Sequence, residues 1–271
     1  MTARESKGPR LFVSNGRFFV PELPGTNLIL DESQSHYIAD VLRLRLGDTL
    51  EIGDPASGSI GLCHISSLGT QVTVTLDTIR SATQPPYPPL TLLSALCKGQ
   101  KNDQICDWAT ELGCSEIIFW EATRSVVRLK DSSECQNKEI RLTKIAHAAA
   151  QQSKQSRPPQ VHVTRTLAEA LQLIDTTALK PALRLVCSLS EKASTLPELL
   201  RDHPSHAAVV IVIGPEGDLT GEEESMLASH RFVQVSLGSS VLRSELAAVT
   251  AIATTRMLLG GFTSPQDSRS S

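Results

Sequence analysis

The sequence lacks the residue patterns that mark several common kinds of site. Its six cysteines include no CxxC pair, so we predict neither a disulfide framework nor a zinc site, and we expect reduced, mostly buried thiols. The seven histidines include no HExxH pair, and no metal site is expected. No GxGxxG motif follows an early strand and no GxxxxGK[ST] motif occurs, so neither a Rossmann dinucleotide site nor a P-loop is indicated.

Long apolar segments are also missing. No stretch reaches the roughly 18 residues that a membrane span needs, and residues 1–10 (MTARESKGPR) lack the apolar core of a signal peptide. We therefore expect a cytoplasmic protein with no membrane partner. The 271 residues, 40% of them apolar, can bury one large core or two moderate ones.

The net charge of −3 argues at first against a nucleic-acid partner. Residues 124–165, however, carry nine basic and three acidic side chains. A local positive excess can hold RNA phosphates even when the whole chain is acidic. A solvated basic helix has the same composition, so charge alone leaves both interpretations open.

A proline-rich segment at residues 84–89 (QPPYPP) predicts a domain boundary, because four prolines in six residues favour an extended connector. Before this linker, short β-type runs separated by turn signals predict a small antiparallel barrel over residues 10–83. After it, alternating strands and helices predict an α/β sheet over residues 90–262. Residues 1–9 and 263–271 are predicted to be disordered.

The predicted elements have the following bounds. Strands of the barrel are expected at 11–13, 17–20, 27–30, 49–52, 60–65 and 71–79. One helix interrupts them, with Asp31 or Ser33 as its cap and an apolar face formed by Tyr37, Ile38, Val41 and Leu42. In the second domain we predict strands at 90–96, 115–120, 161–163, 183–189, 209–213 and 232–236, and helices at 101–112, 133–153, 167–174, 221–230 and 246–259.

Two glycine-rich turns near the carboxyl end are the most informative stretch. The first follows the β-branched run 209–213 and reads Gly214-Pro215-Glu216-Gly217, after which Thr220 and Glu223 have capping-box spacing. The second, Leu237-Gly238, follows the run 232–236. Two turns at the carboxyl ends of neighbouring strands are where an open α/β sheet binds a ligand. The glycines are equally compatible with simple strand-to-helix corners.

The residues of these turns resemble the RsmE-type 16S ribosomal RNA uridine-N3 methyltransferases of the SPOUT superfamily. The resemblance rests on residues 214–217 (GPEG), 237–238 (LG) and 242–245 (LRSE), and upstream on 36–43 (HYIADVLR), 109–113 (ATELG), 124–127 (RSVV) and 151–158 (QQSKQSRP). Asp218, Ser240, Leu246 and Gln151 depart from the family pattern.

The resemblance implies a fold and an activity. The fold is an α/β SPOUT domain with a carboxy-terminal trefoil knot, preceded by a small PUA-like β-barrel domain. The activity is methylation of uridine N3 in the decoding region of 16S ribosomal RNA, free or within the small ribosomal subunit, with S-adenosylmethionine as cofactor. A homodimer built on the second domain is expected. The alternatives are a SPOUT ribose 2′-O methyltransferase acting on another RNA, and an RNA-binding protein without catalysis.

The resemblance also implies site residues. Arg243 is expected to stabilise negative charge on the uracil oxygens, and Glu245 is either a base or an anchor for the arginine; a purely structural Arg–Glu pair remains an alternative. The residues expected to bind the cofactor are Leu189, Ile213, Gly214, Pro215, Glu216, Gly217, Leu237, Gly238, Val241 and Leu242. The residues expected to contact RNA are Arg17, Arg43, Arg45, Arg124, Arg128, Gln152, Ser153 and Arg157, with Arg10 as a weaker candidate.

Overall fold

A computed structural model describes residues 17–23, 25–81, 87–176, 182–190, 193–202 and 208–260. The chain divides into two units, of which the first is Met1–Gln84 with Ala150–Pro158 and the second is Pro85–Ala149 with Pro159–Ser271. The predicted tails, the predicted strand at 11–13, Arg10 and residues 84–86 of the predicted linker lie outside the described residues. Among the described helices, none combines the length and the hydropathy needed to cross a membrane.

The first unit contains a five-stranded sheet with the order β1-β3-β4-β5-β2. Its interior is formed by alternate residues of the long strands, such as Ile52, Cys63, Ile65 and Val74, all fully buried. The strands are β1 Arg17–Phe19, β2 Asn27–Ile29, β3 Thr49–Gly53, β4 Ile60–Leu68 and β5 Val72–Arg80.

One strand pair contradicts the predicted antiparallel order. β1 pairs with β3 in parallel, whereas the β3–β4, β4–β5 and β2–β5 pairs are antiparallel. A parallel pair needs a long crossover, and the chain between β1 and β3 provides one because it contains β2 and a helix. The spacing of β-type runs predicted the strands but not this pairing.

The helix of the first unit is shorter than its apolar pattern predicts. Helix α1 (Glu32–His36) is capped by Asp31, whose carboxylate accepts a hydrogen bond from the Gln34 amide at 2.8 Å. A π-helical turn, Tyr37–Val41, follows directly. The wider turn changes the angular spacing of the side chains, so Ile38 is buried while Tyr37 and Val41 are 44% and 55% exposed. The predicted apolar face is therefore wrong for those two side chains.

The second unit is a seven-stranded, fully parallel sheet with the order β10-β12-β9-β11-β6-β7-β8. Every residue of β6 and β11 is buried, as expected for central strands of a sheet with helices on both faces. The strands are β6 Leu90–Ala95, β7 Glu116–Trp120, β8 Gln160–Thr164, β9 Ala182–Cys187, β10 Ser194–Thr195, β11 Ala208–Ile213 and β12 Val233–Ser236. The helices are α2 Lys101–Glu111, α3 Ser132–Gln152, α4 Leu167–Thr176, α5 Leu196–Asp202, α6 Gly221–Ser229 and α7 Ser244–Leu258.

The two strands that precede the glycine turns are not neighbours, which corrects the expectation from the sequence. β9 lies between β11 and β12 and pairs with both. β10 and α5 were not predicted at all. Three strand ends, rather than two, therefore meet at the carboxyl edge of the sheet.

A buried arginine holds helix α7 in place. The guanidinium of Arg256 donates hydrogen bonds to the carbonyls of Pro88 (2.7 Å), Leu112 (3.2 Å) and Gly113, and it lies 4.1 Å from the centre of the Tyr87 ring. Burial lowers the pKa of this side chain. Its carbonyl and aromatic partners connect the end of α7 to the first residues of the second unit and to the end of α2.

Candidate active site

A cavity of about 290 Å³ opens where β9, β11 and β12 end. Nine of the ten predicted cofactor residues line it; Gly217 does not. Residues at the end of β9, Cys187 to Leu189, form one side of the cavity, which the two glycine turns alone would leave open. The lining residues are Cys187, Ser188, Leu189, Ile213, Gly214, Pro215, Glu216, Asp218, Leu237, Gly238, Ser240, Val241, Leu242, Arg243, Ser244 and Ala247.

The first turn contains Asp218 where the family pattern has a glycine, and the backbone there suits an aspartate. Asp218 has a φ of 64°, a conformation that glycine, asparagine and aspartate adopt more readily than other residues. Its carboxylate accepts a hydrogen bond from the Leu219 amide at 2.8 Å. Thr220 and Glu223 then form the predicted capping box of α6. Aspartate is therefore compatible with the backbone conformation at this position.

The loop 121–129 is attached to this first turn. Nη1 of Arg124 donates to the carbonyls of Gly217 (3.2 Å) and Leu219 (3.1 Å), and the Glu223 carboxylate accepts from the Thr123 amide at 2.9 Å. A Cβ atom at Gly217 would lie 3.1 Å from the Cβ of Arg124. Gly217 thus permits the close approach of Arg124 and does not line the cavity, and its role as a cofactor contact stays a prediction.

The second turn requires a glycine for a different reason. Gly238 has a φ of 125°, which side chains strongly disfavour, and an added Cβ would meet no protein atom within 4 Å. The Ser236 hydroxyl hydrogen-bonds the Gly238 amide and carbonyl, each at 3.2 Å. The Ser244 hydroxyl donates to the Gly214 carbonyl at 3.2 Å. This last hydrogen bond joins the start of α7 to the first turn.

Lys101, at the start of α2, is a site residue that sequence reasoning missed. Its Nζ lies 2.8 Å from Oε1 of Glu216 and 3.4 Å from Oε2 of Glu245. The hydrogen bond to Glu216 raises the pKa of Lys101. Burial raises the pKa of Glu216, but the hydrogen bond from Lys101 and those from backbone amides outweigh it, and the net pKa is lowered. The sequence feature that could have identified Lys101 as a site residue is its position shortly after the carboxyl end of strand β6.

Arg243 lies at the rim of the cavity, where it is the N-cap residue of α7, and its side chain is exposed. Within the described part of the chain, its guanidinium has no ion-pair partner. The cation beside Glu245 is Lys101 instead. The expected Arg243–Glu245 pair is therefore not formed among these residues, and Glu245 does not act as an anchor for Arg243.

The arginines expected to contact RNA have three different environments. Arg17 is only 6% exposed; it forms an ion pair with Glu51 at 3.0 Å and donates to the carbonyls of Lys154 and Gln155. This burial contradicts the expected role of Arg17 as an RNA contact. Arg43 and Arg45, by contrast, are exposed on the first unit.

The remaining residues predicted to contact RNA differ in how many hydrogen bonds their side chains already make within the protein. Arg128 is bonded to the Glu121 carboxylate at 3.0 Å and to two backbone carbonyls. Arg157 is exposed and donates to the Ser57 carbonyl at 2.5 Å. Gln152 is exposed and Ser153 is half-buried, both close to Arg157 in the chain.

The cysteines are free thiols, and the described residues contain no cluster of His, Cys, Asp and Glu that could hold a metal ion. Burial raises the pKa of Cys187, which lines the cavity, and of the buried Cys97 to about 12. At neutral pH both are therefore protonated and unreactive.

Comparisons with known proteins place this arrangement in a family. A family model described as an RNA methyltransferase domain matches residues 83–256, and one described as an RNA methyltransferase PUA domain matches residues 30–76. The chain is 32% identical over 231 residues to ribosomal RNA small subunit methyltransferase E of Rickettsia conorii, which covers 82% of this chain and 86% of the relative. The chain belongs to the RsmE family. The resemblance found in the turn motifs is confirmed.

Other members and solved structures agree with this assignment. The RsmE protein of Bacillus subtilis is 30% identical over 245 residues, covering 90% of this chain and 94% of that protein. A Legionella pneumophila protein solved with the cofactor SAM bound matches with a TM-score of 0.76 and 25% identity, over 90% of this chain and 98% of that one. The RsmE protein of Neisseria gonorrhoeae has the same fold, with a TM-score of 0.76 at 24% identity over 92% of this chain and 100% of that one.

Proposed function

We propose that this protein transfers a methyl group from S-adenosylmethionine to N3 of a uridine in the decoding region of 16S ribosomal RNA. The observation that carries the proposal is the cavity at the three strand ends, which has Arg243 at its rim in a chain of the RsmE family. SAM was present in the structure of the similar Legionella protein. The PUA match in the first unit favours an RNA substrate.

The chemistry of the cavity fits this cofactor. Its lining includes two carboxylates, Glu216 and Asp218, and a single cation, Arg243. A sulfonium is positively charged and a phosphate is negatively charged, so the excess of carboxylates in this lining favours the sulfonium. Backbone amides and carbonyls of both glycine turns lie close to the space that the adenosine would fill, as Gly214 and Gly238 permit. Ile213, Leu237 and Leu242 supply apolar contact for its ring.

The protein groups needed for methylation of uridine N3 are few. When bound, the cofactor supplies a methyl group that its positive sulfur already activates. The protein must hold N3 in line with that methyl group, take up the N3 proton and stabilise the charge that develops on the uracil oxygens. Arg243, exposed at the rim, performs the last task. Glu245 lies two residues further on but does not line the cavity, and its Oε2 atom is buried beside Lys101, so this geometry does not favour it as the acceptor of the proton.

RNA phosphates are held by exposed arginines of the first unit. Arg17 is excluded by its burial, which leaves Arg43, Arg45 and Arg157. Replacing these three together with serine should lower RNA affinity and flatten its salt dependence, because each lost phosphate contact removes about 0.7 from the slope of log affinity against log salt for single strands. Filter binding across a salt series measures the slope. An unchanged slope would remove these arginines from the interface.

Arg124 supports the cofactor turn rather than the RNA. Replacing it with methionine removes its two hydrogen bonds to the first turn, and we expect the affinity for S-adenosylmethionine to fall about fivefold, corresponding to roughly 1 kcal/mol for an exposed charged donor. Lys130→Met, at the residue directly after this loop, is the matched control and should bind normally. Calorimetry measures both. Unchanged cofactor affinity with weakened RNA binding would return Arg124 to the RNA surface.

The proposal also includes two structural features that the family resemblance implies. The first is the trefoil knot, supported by the path of the chain from β12 near the sheet edge back to α7, which packs on α2, β6 and β11. The second is a homodimer, for which Leu246, Met257 and Leu258 of α7 offer exposed apolar surface. Light scattering at micromolar concentration should give twice the chain mass. We expect a cytoplasmic location because the substrate is ribosomal RNA.

The decisive experiment is mass mapping of ribosomal RNA from cells with and without this protein, combined with binding of labelled S-adenosylmethionine by the pure protein. We expect one uridine of 16S ribosomal RNA to lose an N3 methyl group when the protein is absent. A missing ribose 2′-O methyl group would indicate a different SPOUT activity. Failure to bind S-adenosylmethionine would indicate an RNA-binding protein without catalysis.

A further inference from the structure

Asp218 supplies a negative charge to the cavity lining that no cation of the described residues pairs with. The lining contains three charged side chains, Glu216, Asp218 and Arg243. Glu216 forms an ion pair with Lys101 at 2.8 Å. Arg243 lies at the rim, where we assign it to the uracil oxygens. Asp218 has no ion-pair partner in the described part of the chain, so its charge is available to a ligand.

The carboxylate of Asp218 is also accessible from the cavity. Its Oδ1 atom accepts the hydrogen bond from the Leu219 amide at 2.8 Å. Its Oδ2 atom has no hydrogen-bond partner among the residues that the structure describes. The side chain is exposed and lines the cavity. A ligand that enters the cavity therefore meets a carboxylate with one oxygen that the protein does not use.

The backbone on both sides of Asp218 is held in place. Nη1 of Arg124 donates to the carbonyls of the preceding Gly217 and the following Leu219, at 3.2 and 3.1 Å. The Asp218 amide donates to the Pro215 carbonyl at 3.0 Å. Leu219 is buried. These contacts fix the position from which the carboxylate extends, just beyond the end of β11.

The cofactor and its product differ by one charge. Transfer of the methyl group leaves the electron pair of the broken C–S bond on sulfur, so the positive sulfonium becomes the neutral thioether of S-adenosylhomocysteine. The adenosine and the amino-acid part are the same in both molecules. Apolar contacts and backbone hydrogen bonds to those shared parts hold both equally. A charged side chain, by contrast, attracts only the molecule that carries the positive sulfur.

We propose that Asp218 is a specificity-determining residue, whose charge makes the cavity prefer S-adenosylmethionine to S-adenosylhomocysteine and so favours release of the product. This inference rests on the proposed function. The family pattern has a glycine at this position, which offers no carboxylate. The preference that Asp218 adds is therefore a property of this chain's own sequence and not of the glycine turn itself.

Calorimetry with S-adenosylmethionine and S-adenosylhomocysteine tests the inference on the parent and on Asp218→Asn. Asparagine tolerates the φ of 64° and keeps an oxygen for the Leu219 amide, but it has no charge. The ratio of the two affinities should fall about fivefold, corresponding to roughly 1 kcal/mol for an exposed ion pair. The affinity for S-adenosylhomocysteine should change less than twofold. Asp218→Gly, which restores the family residue, should give the same ratio.

Two further measurements identify the effect as one of charge. The parental preference for S-adenosylmethionine should shrink as salt is added, because ions screen exposed charges, whereas the ratio in Asp218→Asn should not depend on salt. Sinefungin carries an ammonium group in place of the methylated sulfur, so it should lose affinity together with S-adenosylmethionine. Glu222→Gln removes an exposed carboxylate of α6 that does not line the cavity, and this matched control should keep the parental ratio.

The outcomes separate this inference from the function on which it rests. A parent protein that binds no S-adenosylmethionine overturns both. A parent that binds it, together with an Asp218→Asn variant that keeps the parental ratio, overturns the inference alone. Equal loss of both ligands would assign Asp218 to a group that they share, and a ratio that fell in Asp218→Asn but not in Asp218→Gly would exclude charge as the cause. Either result would also overturn the inference.

Discussion

Replacement of Arg243 with alanine should lower the single-turnover rate of methyl transfer by about 100- to 1,000-fold, the range found when a donor to a developing oxyanion is removed. The affinity for RNA should change less than threefold, because one arginine at the reacting base acts on the transition state more than on the ground state. Arg243 is suited to this task because it is exposed at the cavity rim and has no ion-pair partner in the described part of the chain.

A matched control makes this result interpretable. Arg201 is an exposed arginine on α5 that does not line the cavity, and Arg201→Ala should methylate at the parental rate. Filter binding and single-turnover methylation of the same preparations give both quantities. Parental methylation by Arg243→Ala would show that the uracil oxygens are stabilised by another group. A parallel loss of RNA affinity would make Arg243 a phosphate contact.

Replacement of Gly238 with valine should weaken S-adenosylmethionine binding at least 100-fold. Two effects combine at this position. A φ of 125° strains any residue with a side chain by about 1–3 kcal/mol, and the branched Cβ would occupy space beside the cavity where we place the cofactor. No protein atom lies within 4 Å of an added Cβ. A steric clash with the protein itself therefore contributes nothing to the effect.

The first unit provides a matched control for the strain. Gly47 also has a positive φ, 84°, and also has open space at its Cβ position. Gly47→Val should destabilise the first unit by a similar amount, as thermal unfolding would detect, yet leave cofactor affinity unchanged. Calorimetry on both variants separates strain from occupancy of the cavity. If Gly238→Val bound S-adenosylmethionine like the parent, the second turn would be only a structural corner.

Much of this protein was predictable from local sequence patterns. The continuous β-branched run 209–213 identified the central strand β11 to within one residue. The spacing of Thr220 and Glu223 identified the start of α6 with its capping box. The glycine turns, taken with Arg243 and Glu245, identified both the family and most of the cavity lining. Each single run, capping box or turn is a short segment of chain, within which backbone geometry links neighbouring residues directly.

The pairing of side chains and strands was decided only by the tertiary structure. Arg17 is a cationic side chain of the kind that binds RNA phosphates. The structure buries it against Glu51 and the carbonyls of residues 154 and 155. Lys101 carries no local motif, yet it joins the first turn to helix α7 through Glu216 and Glu245. β9 separates β11 and β12, and β1 lies parallel to β3. These partners are distant in sequence, so hydrophobic periodicity and turn chemistry, which act over a few residues, contain no information about which of them meet.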